Sequence, residues 1–170
     1  MTKTSSPTLT GVEGLKEKVT DYQGYEDAAT RERSDKLIRL YLSGKIRELV
    51  QQLNAGYMAS DERDQNRLDS LVNSTKRKLA TIHKSLNSPT YHQEQFFTPA
   101  FMSPQQLVRI YELEKSMMEE LASIDIELSD LHRNPKTRPL FEEHFLHIDA
   151  FVDNINQALF EREALILGDI

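Results

Sequence analysis

The chain has 170 residues, a formal net charge of -6, no cysteine and no tryptophan, with 28% charged and 38% hydrophobic residues. That length suits one domain with a core of its own. The lack of cysteine excludes disulfides, Cys-ligated zinc or iron–sulfur sites and thiol catalysis, and it fits a reducing cytoplasm; the negative charge argues against general nucleic-acid binding, which needs concentrated Lys and Arg.

Residues 1–10 read as a flexible polar tail ahead of a single helical-bundle domain over 11–170. No apolar signal-peptide core opens the chain, and nowhere do 18 apolar residues run together, so the sequence predicts a soluble, unprocessed protein without membrane contact. Thr10-Gly11-Val12-Glu13 has capping-box form. Val12, Leu15, Val19 and Tyr22 follow at helical spacing, which predicts a short arm ending near Gly24 that packs on the bundle or on a neighbouring subunit.

A second helical run spans Tyr25 to Asn54, with Ile38, Leu42, Ile46, Leu49 and Leu53 on one face and Gly56 as its terminator. Extending that stripe backwards puts Arg31 and Asp35 on the buried side, the mark of a wet bundle end or a polar network. Gly44 costs about 1 kcal/mol relative to Ala in a helix interior, so a close helix crossing is expected there. Ser60, Asp61 and Glu62 cap a third helix running to about Leu86, with Leu68, Leu71, Thr75, Leu79, Ile82 and Leu86 as its seam. Lys76-Arg77-Lys78 lies mostly outside that seam and reads as a solvated face.

From Asn87 to Met102 the chain is an apolar crossover containing Tyr91, Phe96, Phe97, Phe101 and Met102. It reads either as a lid on the core or as a contact site for a partner or ligand. Ser103-Pro104-Gln105-Gln106 combines an N-cap serine, Pro at the first helical position and Gln three residues after the cap. A fourth helix therefore starts there and continues to about Arg133, with Leu107, Ile110, Met117, Leu121, Ile124, Leu128 and Leu131 on one stripe. A short turn through Pro135 leads to a last helix ending near Leu167, which makes these two helices antiparallel neighbours. The fold predicted is all-α, an antiparallel bundle of four long helices with a short N-terminal helix and a long aromatic crossover between the third and fourth.

Several polar residues fall on these apolar faces: Glu114, Asp125 and His132 in the fourth helix, His144 and Arg162 in the last. A hairpin turning near residue 136 puts Asp125 level with His144 and His147, and Glu114 about one turn from Arg162. Unpaired buried carboxylates are very costly, so the expected pairs are Asp125 with His144 or His147, and Glu114 with Arg162. Such pairs need do no more than hold helix register. The alternative is a metal ion held by Asp125, His144 and His147, with a redox or hydrolytic role, although the Glu-x-x-His pairs of di-iron bundles are missing.

Charge is divided along the chain: residues 25–88 carry 12 Lys+Arg and 9 Asp+Glu, residues 103–170 carry 6 and 14. Complementary halves favour docking of the two helical hairpins, or head-to-tail self-association. Leu146, Phe160 and Leu167 form a second apolar stripe opposite the main face of the last helix, to be covered by the N-terminal arm or by a second subunit in a homodimer. With no Gly-rich phosphate loop, and serines that capping explains, no catalytic residue is indicated and no cofactor is expected. The function expected is a non-enzymatic helical-bundle interaction or regulatory module, binding a protein partner or itself; the alternatives are a metal-binding bundle and a small-ligand binder.

Overall fold

A computed structural model describes residues 10–58, 62–89, 102–133 and 138–168. Among the described residues there are five helices and no strand: α1 (Thr10–Lys18), α2 (Ala28–Met58), α3 (Glu62–Asn87), α4 (Pro104–Arg133) and α5 (Arg138–Leu167). The four long helices have 26 to 31 residues, or roughly 40–45 Å at 1.5 Å per residue. Each buries one stripe at spacings of three and four. Ile38, Leu42, Ile46, Leu49 and Leu53 of α2 meet Leu79 and Ile82 of α3, Met117 and Ile124 of α4, and Phe145, Ile148, Val152 and Ile155 of α5 in a single core.

Consecutive long helices run antiparallel, while the ring around the core is ordered α2, α3, α5, α4. The α4–α5 hairpin is aligned by Arg109 with Glu161, Glu120 with Asn154, and Glu127 with His144. The ring closes through two parallel pairs, α2 with α4 and α3 with α5, the latter joined by Thr75 and Lys78 reaching Asp149 at 2.7 and 2.9 Å. Helices α3 and α4 are thus placed on a diagonal of the ring and are not adjacent. Tyr91, Phe96, Phe97 and Phe101 in the connection between them, and the Ser60 and Asp61 caps, lie outside the described residues.

The N-cap of α4 forms as its sequence predicts, with Ser103 Oγ accepting from Gln106 N at 3.2 Å and Gln106 Oε1 accepting from Ser103 N at 2.9 Å. At the other end of the chain Gly168, at φ 76°, closes α5 with its N–H on Leu165 O at 3.3 Å. Two glycine expectations fail. Gly56 does not end α2: it is buried within the helix, whose last turn is held to α3 by Tyr57 Oη donating to Asp69 at 3.0 Å and by Lys76 Nζ standing 5.4 Å from the Tyr57 ring centroid.

Gly44 does not mark a close crossing either, since a Cβ built there meets nothing within 4 Å. Its backbone is helical and its surroundings are open, so only the entropy of the unfolded chain and intrinsic propensity act against it. Gly44→Ala is therefore expected to stabilise the protein by about 1 kcal/mol, read as a higher urea midpoint with an unchanged slope.

Candidate functional site

The densest chemistry lies at the end of the bundle where α2 and α4 begin and α3 and α5 finish. Arg162 of α5, 1% exposed, donates from Nε to Glu114 Oε1 of α4 at 2.9 Å and from Nη2 to Asp35 Oδ1 of α2 at 2.6 Å. Asp35 Oδ2 also accepts from Arg39 Nε at 2.9 Å, and Arg39 Nη1 reaches the Leu86 carbonyl at 3.0 Å. Three helices are thus joined through one guanidinium, and a second guanidinium ties in α3.

The N-terminal arm completes the cluster. Helix α1 packs on α4, burying Val12 and Leu15, and the chain then turns back through Asp21 and Gly24, both at positive φ. This return carries Tyr22 and Tyr25 into the bundle end. Tyr25 Oη donates to Glu114 Oε1 at 2.5 Å, Tyr22 Oη donates to Glu114 Oε2 at 2.8 Å, and Arg162 Nη2 donates to Tyr25 Oη at 3.2 Å. The Tyr25 ring stacks on Tyr111 of α4 at 5.4 Å between centroids and meets Tyr22 edge-on at 5.9 Å. Tyr111 Oη accepts from Tyr25 N at 2.6 Å, and the Tyr25 carbonyl accepts from Arg31 Nε.

Every carboxylate oxygen of Asp35 and Glu114 has a partner, and among the described residues no buried side-chain polar atom lacks one. This satisfaction is what makes two buried carboxylates tolerable, because desolvation alone costs several kcal/mol per ion. Burial pushes the Glu114 carboxyl up, against the opposing pull of Arg162 and of the Tyr25 and Tyr22 hydroxyls. The tyrosines are pushed up as well, Tyr22 and Tyr25 far beyond the ordinary phenol range by burial and the Glu114 charge. Tyr111 is raised to about 12, chiefly by burial. A phenol so held is a fixed hydrogen-bond donor at neutral pH and no source of a proton.

Gly24 is the hinge of this closure. At φ 86° it adopts a backbone that L side chains rarely take, and a Cβ there would stand 2.7 Å from Tyr111 Oη. Gly24→Ala should strain the turn and displace the hydroxyl that receives Tyr25 N, with an expected loss of about 2–4 kcal/mol. Thermal melts compared with Gly14→Ala check it, since a Cβ at Gly14 meets nothing within 4 Å.

The structure brings Glu114 and Arg162 together. It does not bring Asp125 to His144 or His147. Both imidazoles turn to Glu127 instead, His144 Nδ1 against Oε2 and His147 Nδ1 at 3.2 Å from Oε1. The hairpin register expected from the turn near residue 136 is the one observed, but the flank is not. Asp125 follows Ile124 on the side of α4 that faces α2, where it is exposed and lines a groove with Lys18, Tyr41, Lys45, Glu48 and Met118; Glu127 precedes Leu128 on the side that faces α5.

The metal reading based on Asp125, His144 and His147 loses its geometry with that pairing. Among the described residues no group of three or more His, Asp or Glu side chains is arranged to hold a metal ion, and nothing is described of the His132 side chain. Met102, read either as part of a lid on the core or as a contact residue, is buried against the core.

The sequence reading missed the tyrosines as members of the cluster. Tyr22 was recognisable as part of the apolar stripe of the arm. The further signal was chemical: a buried Tyr requires a partner for its hydroxyl, and Glu114 had lone pairs that Arg162 alone could not fill.

Outside the core, Leu40, Met58, Ile126, Leu146 and Phe160 are each more than half exposed. Helix α1 packs on α4 and leaves the Leu146, Phe160 and Leu167 stripe of α5 open. A second groove of about 250 Å³ lies between α2 and α3. No helix of the described residues is long and apolar enough to cross a membrane. Compared with protein-family models, curated proteins and solved structures, the chain matches none of them.

Proposed function

We propose that the protein is a non-enzymatic helical-bundle interaction or regulatory module, cytoplasmic, that works by protein–protein contact on the outer faces of its helices and does not act on nucleic acid or membrane. The observation that carries this reading is a division of labour. The buried charged and phenolic groups are spent on one another in closing the bundle, while large apolar side chains, Met58 at 71% and Phe160 at 68% exposure among them, are left on outer faces. Contact surfaces are built from such anchors set among polar residues. The cytoplasmic location rests on the cysteine-free composition, and the exclusion of nucleic acid on the net charge of -6.

Native mass spectrometry of protein purified without chelator or affinity metal tests the reading. Polypeptide masses alone, for one chain or its multiples, are expected. A stoichiometric metal or organic adduct would replace it with a metal-binding or small-ligand role.

A further inference from the structure

The α2–α3 groove has an apolar floor of Ile46, Val50, Leu79 and Ala80 and is rimmed by Arg47, Lys76 and His83, with no carboxylate among its lining residues. A surface of that kind fits an apolar helix face edged with acidic residues. The outer face of α5 has this chemistry. Leu146, 52% exposed, stands one helical turn from Glu142, Glu143 and Asp149 and two turns from Asp153, and two turns further on is Phe160. Lys78 of α3 reaches Asp149 and Asp153 at 2.9 and 2.8 Å, so this face already receives a lysine from α3.

Both surfaces belong to rigid helices of one bundle and open on different sides of it, so a single copy cannot close the contact on itself. We propose that the α2–α3 groove of one copy receives the acidic, apolar outer face of α5 from a second copy, giving head-to-tail association. The charge division of the chain, basic in residues 25–88 and acidic in residues 103–170, has the sign this contact requires. A heterologous contact leaves one groove and one α5 face unused at the ends of every assembly, so growth continues beyond a dimer unless a ring closes. This inference rests on the contact-module reading and names the partner for it.

Sedimentation velocity on the full chain tests it with two double variants. Arg47→Glu with Lys76→Glu disables the groove; Leu146→Ser with Phe160→Ser disables the α5 face. The wild type should gain mass with concentration past the dimer, and its association should weaken about tenfold or more between low and high salt, because exposed charges are screened over a few ångströms at high ionic strength. Each variant alone should be monomeric. An equimolar mixture should form a dimer that stops there, since one partner supplies the intact groove and the other the intact face.

Arg47→Gln with Lys76→Gln, which removes the charge without reversing it, should weaken association in the same direction and serves if the reversed pair folds poorly. A wild type that stays monomeric, a mixture that stays monomeric, or a dimer abolished by the α5 variant and untouched by the groove variants would each overturn the proposal. The last outcome would describe a two-fold α5–α5 pair. A monomer without adduct in the native mass spectrum removes only self-association, whereas a stoichiometric adduct removes the module reading itself.

Discussion

Arg162→Met should cost about 3–5 kcal/mol, the range for removing one partner of a buried ion pair. The substitution keeps most of the side-chain volume and deletes the guanidinium that Glu114 and Asp35 share at 2.9 and 2.6 Å. Two carboxylates would then remain buried with Arg39 on one side and the tyrosine hydroxyls on the other. Neutralising a carboxylate by protonation relieves the repulsion but leaves the acid where water cannot reach it. Against a total stability of about 5–15 kcal/mol for a typical domain, this is a large fraction, and at this chain length it corresponds to a melting temperature lower by about 10 °C. Arg162→Lys should recover little of it, because one ammonium cannot reproduce the two divergent donors that bridge α4 to α2. Urea unfolding of the three proteins, fitted with a common slope, checks both statements.

The second large effect is alkaline. Tyr22, Tyr25 and Tyr111 are all raised in the folded protein, so above pH 10 the unfolded chain loses phenolic protons that the folded chain keeps. The direction follows directly: the stability contributed by these groups is fully present below their ordinary value of about 10 and is lost as pH rises. Each retained proton costs about 1.4 kcal/mol per pH unit, so the three together cost about 4 kcal/mol per unit between pH 10 and about 12, where Tyr111 itself ionises. Unfolding near pH 11 should therefore be abrupt, with tyrosinate absorbance rising in step with the loss of helical circular dichroism. Tyr22→Phe should flatten the curve by one proton at some cost in stability at neutral pH, because Glu114 Oε2 loses its donor.

The helices were legible because burial imposes a period that the chain cannot hide. The Ser103–Gln106 capping box follows from residue type at the helix start, and the α4–α5 register and the Glu114–Arg162 juxtaposition follow from spacing along straight helices of equal rise. Spacing fails where a choice between flanks must be made. Asp125 and Glu127 border the same stripe, and only the ring order, α5 on one side of α4 and α2 on the other, assigns the histidines to Glu127. That order is a property of the whole bundle, which local pattern does not encode. The path of the tyrosine closure was illegible for a related reason, although the burial of Tyr22 was not: it is formed by a non-helical return at Asp21 and Gly24, where two positive φ angles redirect the chain, and neither periodicity nor charge counts report a change of direction.

The contact reading requires that the outer face of α5 be open and carry no share of the fold. Urea unfolding of Leu146→Ser with Phe160→Ser, at a concentration where the wild type is monomeric, measures this most directly. Exposed side chains contribute within about 0.5 kcal/mol each, so the expected stability is that of the wild type to within about 1 kcal/mol, with an unchanged slope. A loss on the order of 3 kcal/mol or more would mean that the chain covers this face with its own residues, and the surface on which the contact reading stands would not exist.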